Sequence, residues 1–199
     1  MQACALEVVT VEDRGVFNTR SWEWELLDPL VGCSMLELGN KVKGGQTYKE
    51  FFISRGFRHV SVDTNGLNGA LPLDLTRPLH LGCFDMVTNI GTSEHVSEDD
   101  YAGQIECWRN MLEALDIGSV LICCTPKPGS WPRHGTWYPT EAFYDSLSRV
   151  NGLELERLYD SDQRKPNCPP QLRLIFARMT RREYAPFVMP PSGMFHNIK

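Results

Sequence analysis

The chain has 199 residues, of which 42% are hydrophobic and 23% charged, and a formal net charge of −5. That length supports one domain with a real core, and the composition is that of an ordinary globular protein. The acidic balance argues against a polyanion-binding face, because sequence-independent nucleic-acid affinity comes from lysine and arginine neutralising phosphate. No nucleic-acid partner is therefore expected, and the one basic pair, Arg181 and Arg182, reads as a solvated strand end.

Residues 1–33 are expected to form a helical or lid segment, with Trp22, Trp24, Leu26, Leu27 and Leu30 crowded ahead of the first core strand. Plain core packing is the simpler reading of those side chains, and closure over a ligand the sharper one. Met35, Leu36 and Leu38 then read as a short buried strand with the acid Glu37 near its end, followed by a turn carrying Gly39, Gly44 and Gly45. Residues 46–57 have helical spacing, with Tyr48, Phe51, Phe52 and Arg55 on one face and Gly56 as the stop. Strand, glycine turn and helix bring bare backbone to a ligand at a helix N-terminus. The pattern is neither the dinucleotide G-x-G-x-x-G nor a P-loop, since no Gly-Lys-Ser/Thr follows.

A second strand over residues 59–63 completes a βαβ unit and ends in Asp63. An acid there suits ribose hydroxyls in nucleotide-binding α/β folds, and the alternative is a turn aspartate ahead of Thr64, Asn65 and Gly66. Residues 71–75 read as a short third strand or an extended edge, since Pro72 favours an edge or the start of a strand. A fourth covers residues 84–90 and runs into Gly91, Thr92, Ser93, Glu94 and His95. Ser97 with the acids that follow opens a helix whose expected stripe is Tyr101, Ile105, Trp108, Leu112 and Leu115. The fifth strand is expected over residues 118–125. A loop over residues 126–139 carries Trp131, His134, Trp137 and Tyr138, and Thr140 caps a helix with Phe143, Leu147 and Val150 on one face. No helix fits between the strands at residues 153–159 and 172–179, so those two form an antiparallel pair. The tail is an arm against the body or a loose end.

Seven cysteines show no C-x-x-C spacing, and adjacent Cys123 and Cys124 point to opposite faces of a strand. They read as reduced packing residues in a cytoplasmic protein, and no metal site is expected. No apolar run approaches a membrane span, and Glu7, Glu12 and Asp13 do not fit a signal peptide.

Alternating strands and helices predict an α/β, Rossmann-like, doubly wound sheet. It has seven strands, mostly parallel, with a terminal antiparallel pair and helices on both faces. The expected organisation is 1–33 as the leading segment, 34–180 as the domain and 181–199 as the tail. Ligands bind such sheets at the carboxyl ends of the strands, where Gly39, Asp63, residues 89–95 and the aromatic loop all fall.

Leu36 to Gly39, Val62 with Asp63, Asp74 with Leu75, residues 84–89 and Thr92 to Val96 resemble successive motifs of class I S-adenosylmethionine-dependent methyltransferases of the small-molecule type. One departure stands out: Lys41 occupies the place of the family's second loop glycine, so either the loop is rebuilt around Asn40 and Gly44, with both lysine side chains in solvent, or cofactor binding is weakened. The resemblance implies S-adenosyl-L-methionine as cofactor and S-adenosyl-L-homocysteine as product. It places Glu37, Gly39 and Asn40 at the methionine end, Asp63 on the ribose, Asp74 and Leu75 at the adenine, and Asn89 and Gly91 along the methyl path. His95 and His134 are the candidate bases, and Glu94 is a candidate substrate-binding residue that orients His95 or caps the helix. Trp131, Trp137 and Tyr138 either contact a small-molecule acceptor or form a hydrophobic plug. A catalytically silent cofactor-binding module is the alternative function. A nicotinamide oxidoreductase is disfavoured by the missing fingerprint and the antiparallel ending.

Overall fold

A computed structural model describes residues 32–43, 45–97, 100–162 and 171–197. The expected lid over residues 1–33 falls almost wholly outside the described residues, as does Gly44. The sheet has six strands in the order β4-β1-β5-β6-β9-β8. These are β1 (Ser34–Leu38), β4 (Arg58–Val62), β5 (Phe84–Ile90), β6 (Leu115–Pro126), β8 (Leu153–Asp162) and β9 (Arg173–Arg181). β1 pairs in parallel with β4 and β5, and β5 with β6, while β9 runs antiparallel to both β6 and β8.

The seventh strand expected at residues 71–75 is not formed. Only Leu71 makes a parallel bridge, to Val62. Pro72 has no amide hydrogen to continue the ladder, and the Asp74 carboxylate accepts instead from the Thr76 N–H at 2.9 Å, turning the chain.

The glycine turn also differs from expectation. A two-stranded hairpin, β2 (Val42–Lys43) with β3 (Gln46–Thr47), intervenes before helix α1 (Tyr48–Ser54). Thr47 caps this helix, accepting from the Glu50 N–H at 3.0 Å, while the Glu50 carboxylate accepts from the Thr47 N–H at 3.0 Å. The helix is therefore shorter than predicted, and its N-terminus is closed by its own side chains.

Side-chain alternation divides the core in two. Leu36, Leu38, Val87, Leu121 and Cys123 pack in one cluster with Trp108 and Met111 of α2 (Tyr101–Glu113) and Phe143 and Leu147 of α3 (Glu141–Val150). Met35, Met86, Ile122 and Cys124 pack in the other with Tyr48, Phe51 and Phe52 of α1. Asp100, rather than Ser97, caps α2, accepting from the Ala102 N–H at 2.8 Å. Val150 lies off the buried face of α3 and is exposed.

The tail is an arm: β10 (Phe195–Asn197) pairs antiparallel with β7 (Trp137–Pro139). Arg181 is buried, donating to the Leu112 and Leu115 carbonyls, and Arg182 pairs with Glu154, so neither forms a basic surface patch. No helix among the described residues is long and apolar enough to cross a membrane.

Candidate active site

The carboxyl ends of β1, β4 and β5 lie side by side, because Leu38 pairs with Val62 on one flank and with Asn89 on the other. Gly39 leaves β1 with φ +88°, and its N–H donates to the Val62 carbonyl at 2.8 Å. A Cβ there would lie 2.7 Å from the Thr92 hydroxyl, which itself donates to the Leu38 carbonyl. Gly39 is therefore required by the close approach of the loop after β5, not only by turn geometry.

Glu37 is 1% exposed and turned toward His59, whose Nε2 lies 2.9 Å from the carboxylate. Burial raises its pKa, opposed by His59. Asn40 clasps the neighbouring turn, donating to the Asn65 side chain and the Leu67 carbonyl at 2.7 and 2.9 Å. Asp63 sits at the tip of β4, with Oδ1 accepting from the Asn65 N–H at 3.0 Å. That is the turn-aspartate geometry, formed at the position a ribose carboxylate would take. Asp74 is exposed, and its bonds to the Thr76 N–H and hydroxyl hold its pKa below the usual range. Leu75 is spent on the core. Asn89 is fully buried and pins the next turn, accepting from the Ser93 N–H at 3.0 Å and donating to its hydroxyl at 2.8 Å.

Lys41 is the residue whose place sequence reasoning misjudged. Its side chain does not project to solvent. The ammonium crosses from the loop after β1 to the end of β5 and donates to the Ile90 carbonyl, with the Gly91 carbonyl at 3.4 Å. A Cβ on Gly91 would collide with it. The signal was available in part: a lysine where bare backbone is expected has a side chain long enough to fill the space that glycine leaves.

The pinned turn Ser93–His95 delivers Glu94 beneath the loop that carries His134. The Glu94 carbonyl accepts from the Thr136 N–H at 2.8 Å, and Gly135 packs so tightly that a Cβ would lie 2.9 Å from Glu94 Cγ. Glu94 is fully buried, and neither carboxylate oxygen has a hydrogen-bond partner among the described residues. His95 and His134 present Nε2 at 3.9 and 4.0 Å from its Oε1. Burial pushes the Glu94 carboxyl up to about 7, against the pull of the Lys41 ammonium. Burial likewise pushes His134 down to about 4, helped by His95 and Lys41. His134 is thus neutral near pH 7. Its ring stacks on Trp131 at 3.5 Å and meets His95 edge-on at 4.6 Å.

Trp137 and Tyr138 face inward. The Trp137 indole donates to the Ser97 carbonyl at 2.7 Å, and the Tyr138 hydroxyl donates to the Trp131 carbonyl at 2.8 Å while accepting from the Gly135 N–H. With 6% and 0% exposure they support the loop and present no open ring face. Of the residues singled out from sequence, Gly91, Glu94, His95, His134 and Trp131 converge, joined by Lys41. Glu37, Asn89, Leu75, Trp137 and Tyr138 make the frame, and Asp74 faces solvent.

No family model matches the chain, and no curated protein matches it. Solved structures do. The N-methyltransferase NodS from Bradyrhizobium japonicum WM9, in complex with S-adenosyl-L-homocysteine, is similar at TM-score 0.59 and 12% identity, covering 81% of this chain and 84% of that one. The 1,6-didemethyltoxoflavin-N1-methyltransferase of Burkholderia thailandensis, with bound 1,6-didemethyltoxoflavin and S-adenosylhomocysteine, gives 0.57 and 14%, covering 80% and 76%. The [4+2]-cyclase SpnF gives 0.58 and 13%, covering 80% and 78%, so chains of this shape do not all carry a methyltransferase's name. The sheet order, the antiparallel strand β9 and these likenesses agree: this chain has the fold of class I S-adenosylmethionine-dependent methyltransferases.

Proposed function

We propose that the chain is an S-adenosylmethionine-dependent methyltransferase acting on a small-molecule, sugar-like or otherwise, by in-line displacement. The observation that carries the reading is the ammonium seat at the end of β5. Lys41 donates there to the Ile90 and Gly91 carbonyls, and the amino-acid end of the cofactor carries a group of the same charge and donor type. Gly39 and Asn40 would border that end, with Glu37 acting from behind through the loop backbone. Asp63, at the next strand tip, suits the ribose hydroxyls, and Asp74 suits the adenine amine. The cofactor supplies the activated methyl group and leaves as S-adenosyl-L-homocysteine. The chain's own contribution is to hold donor and acceptor in line and exclude water, which is worth roughly 7–11 kcal/mol in well-oriented systems. An acceptor that must lose a proton would find His134, held neutral by its surroundings, or His95 beside it. Trp131, stacked on His134, is the aromatic surface best placed to meet the acceptor.

Calorimetric titration of the chain with S-adenosylmethionine and S-adenosylhomocysteine tests the first half; no heat at millimolar ligand overturns it. A mass-spectrometric search of a metabolite extract for a gain of one methyl tests the second. The other reading is a cofactor-binding module without turnover. That reading requires binding with no methylated product.

A further inference from the structure

We propose that Glu94, His95 and His134 bind a divalent first-row transition-metal ion such as zinc or manganese. The three side chains offer ligand atoms that all lie within 4.8 Å of one another. The two measured pairs, His95 Nε2 and His134 Nε2 to Glu94 Oε1, are 3.9 and 4.0 Å. Those separations are too long for hydrogen bonds. Zinc bonds of ~2.0–2.2 Å set neighbouring ligand atoms about 3.3 Å apart, so each histidine closes on Glu94 by well under an ångström.

The second observation is independent of that spacing. Glu94 is fully buried, yet among the described residues both its oxygens are without a hydrogen-bond partner. A carboxylate withdrawn from water and given no donor is costly to keep, and buried carboxylates are normally paired or bound to a metal. Here the chain holds the acid in place from two directions. Asn89 fixes Ser93 ahead of it, and Thr136 bonds to its carbonyl from the loop that brings His134. Two segments about forty residues apart in sequence are thus knitted together around an unpartnered oxygen pair, with imidazole on its open side. The His95 and His134 side chains are 44% and 28% exposed, which leaves a path from solvent.

The two imidazole nitrogens suit zinc first, the carboxylate oxygen admits manganese, and magnesium prefers oxygen and water throughout. Three protein ligands leave a position for water or an acceptor heteroatom, as in catalytic rather than structural sites. Lys41 is the rival cation. The Cβ position of Gly91 lies 3.4 Å from Glu94 Oε1 and 2.3 Å from the Lys41 ammonium, so the two charges compete for one neighbourhood.

The test is calorimetric titration of the full chain, stripped with chelator, using zinc, manganese and magnesium chlorides, with metal content measured after dialysis. One equivalent of zinc or manganese is expected, with no response to magnesium. Glu94→Gln, His95→Ala and His134→Ala should each weaken binding by at least ~100-fold, since even losing a group that only hydrogen-bonds to a ligand costs 10–100-fold. His80→Ala should leave it unchanged, and Lys41→Met should tighten it. Far-UV dichroism checks the fold, and Glu94→Gln keeps the side-chain shape, so a folded control exists even if a histidine variant unfolds. Absence of zinc and manganese uptake, or uptake that survives Glu94→Gln, overturns the proposal. No cofactor is present in the titration, so the result stands apart from the outcome for methyl transfer.

Discussion

Replacing Glu94 by Gln should change how stability depends on pH, and the size follows from burial. The Glu94 carboxyl titrates at about 7 in the folded chain against 4.5 for a free glutamate, with desolvation as the main cause. The folded state therefore holds a proton that the unfolded chain has already released. Stability from the neutral acid is fully present below pH 4.5 and is lost as the pH rises to about 7. At about 1.4 kcal/mol per pH unit, that gap amounts to about 3 kcal/mol. His134, held at about 4, works in the opposite sense, costing stability as the pH falls from 6.5 toward 4. The raw profile of the wild type is therefore a sum of opposed trends, and the difference between wild type and Glu94→Gln isolates the acid. Between pH 4.5 and 8 that difference should move by about 3 kcal/mol in favour of the variant, or ~6–12 °C in melting temperature for a chain of this size. Thermal and urea melts at both pH values, with chelator present, would measure it. Parallel pH profiles for the two proteins would refute an uncompensated buried carboxyl at this position.

Lys41→Met should strengthen binding of S-adenosylhomocysteine in calorimetry, because it empties the ammonium seat on the Ile90 and Gly91 carbonyls; weaker binding would mean that the lysine holds the ligand. Asp63→Ala should weaken cofactor binding by about 1–3 kcal/mol, the range for hydrogen bonds to a charged group, and unchanged affinity removes Asp63 from the site. Gly39→Ala should destabilise the fold by at least ~1–2 kcal/mol, since its φ of +88° disfavours a side chain and the new Cβ would press on Thr92; a urea midpoint equal to that of wild type would show that the loop yields freely.

The order of strands and helices was legible from residues 34 to 179 because burial imposes periodicity. Met35, Leu36 and Leu38, the alternation through Cys123 and Cys124, and the cap at Thr140 are local signals, each read within one element. The same locality explains the errors. Leu71 to Leu75 has strand composition, but whether it extends the sheet depends on Pro72 and on a partner that only Val62 supplies, through one bridge. The hairpin after Gly39 was hidden because two-residue strands carry no period.

The site divides in the same way. Glycine, acid and histidine at the strand ends could be named from the chain alone, since a strand-to-loop junction is where backbone and polar groups emerge together. What those side chains touch could not be named. Lys41 reaches Ile90 across 49 residues, Glu37 turns to His59 across 22, and Glu94 meets His134 under a loop that begins after the next strand. Charge pairing and desolvation act through space, and only folding sets those distances. Which residues stand at the mouth of the sheet follows from the order of residues along the chain. Tertiary packing alone decided that a lysine fills the ammonium seat and that a glutamate beside two histidines is left without a donor.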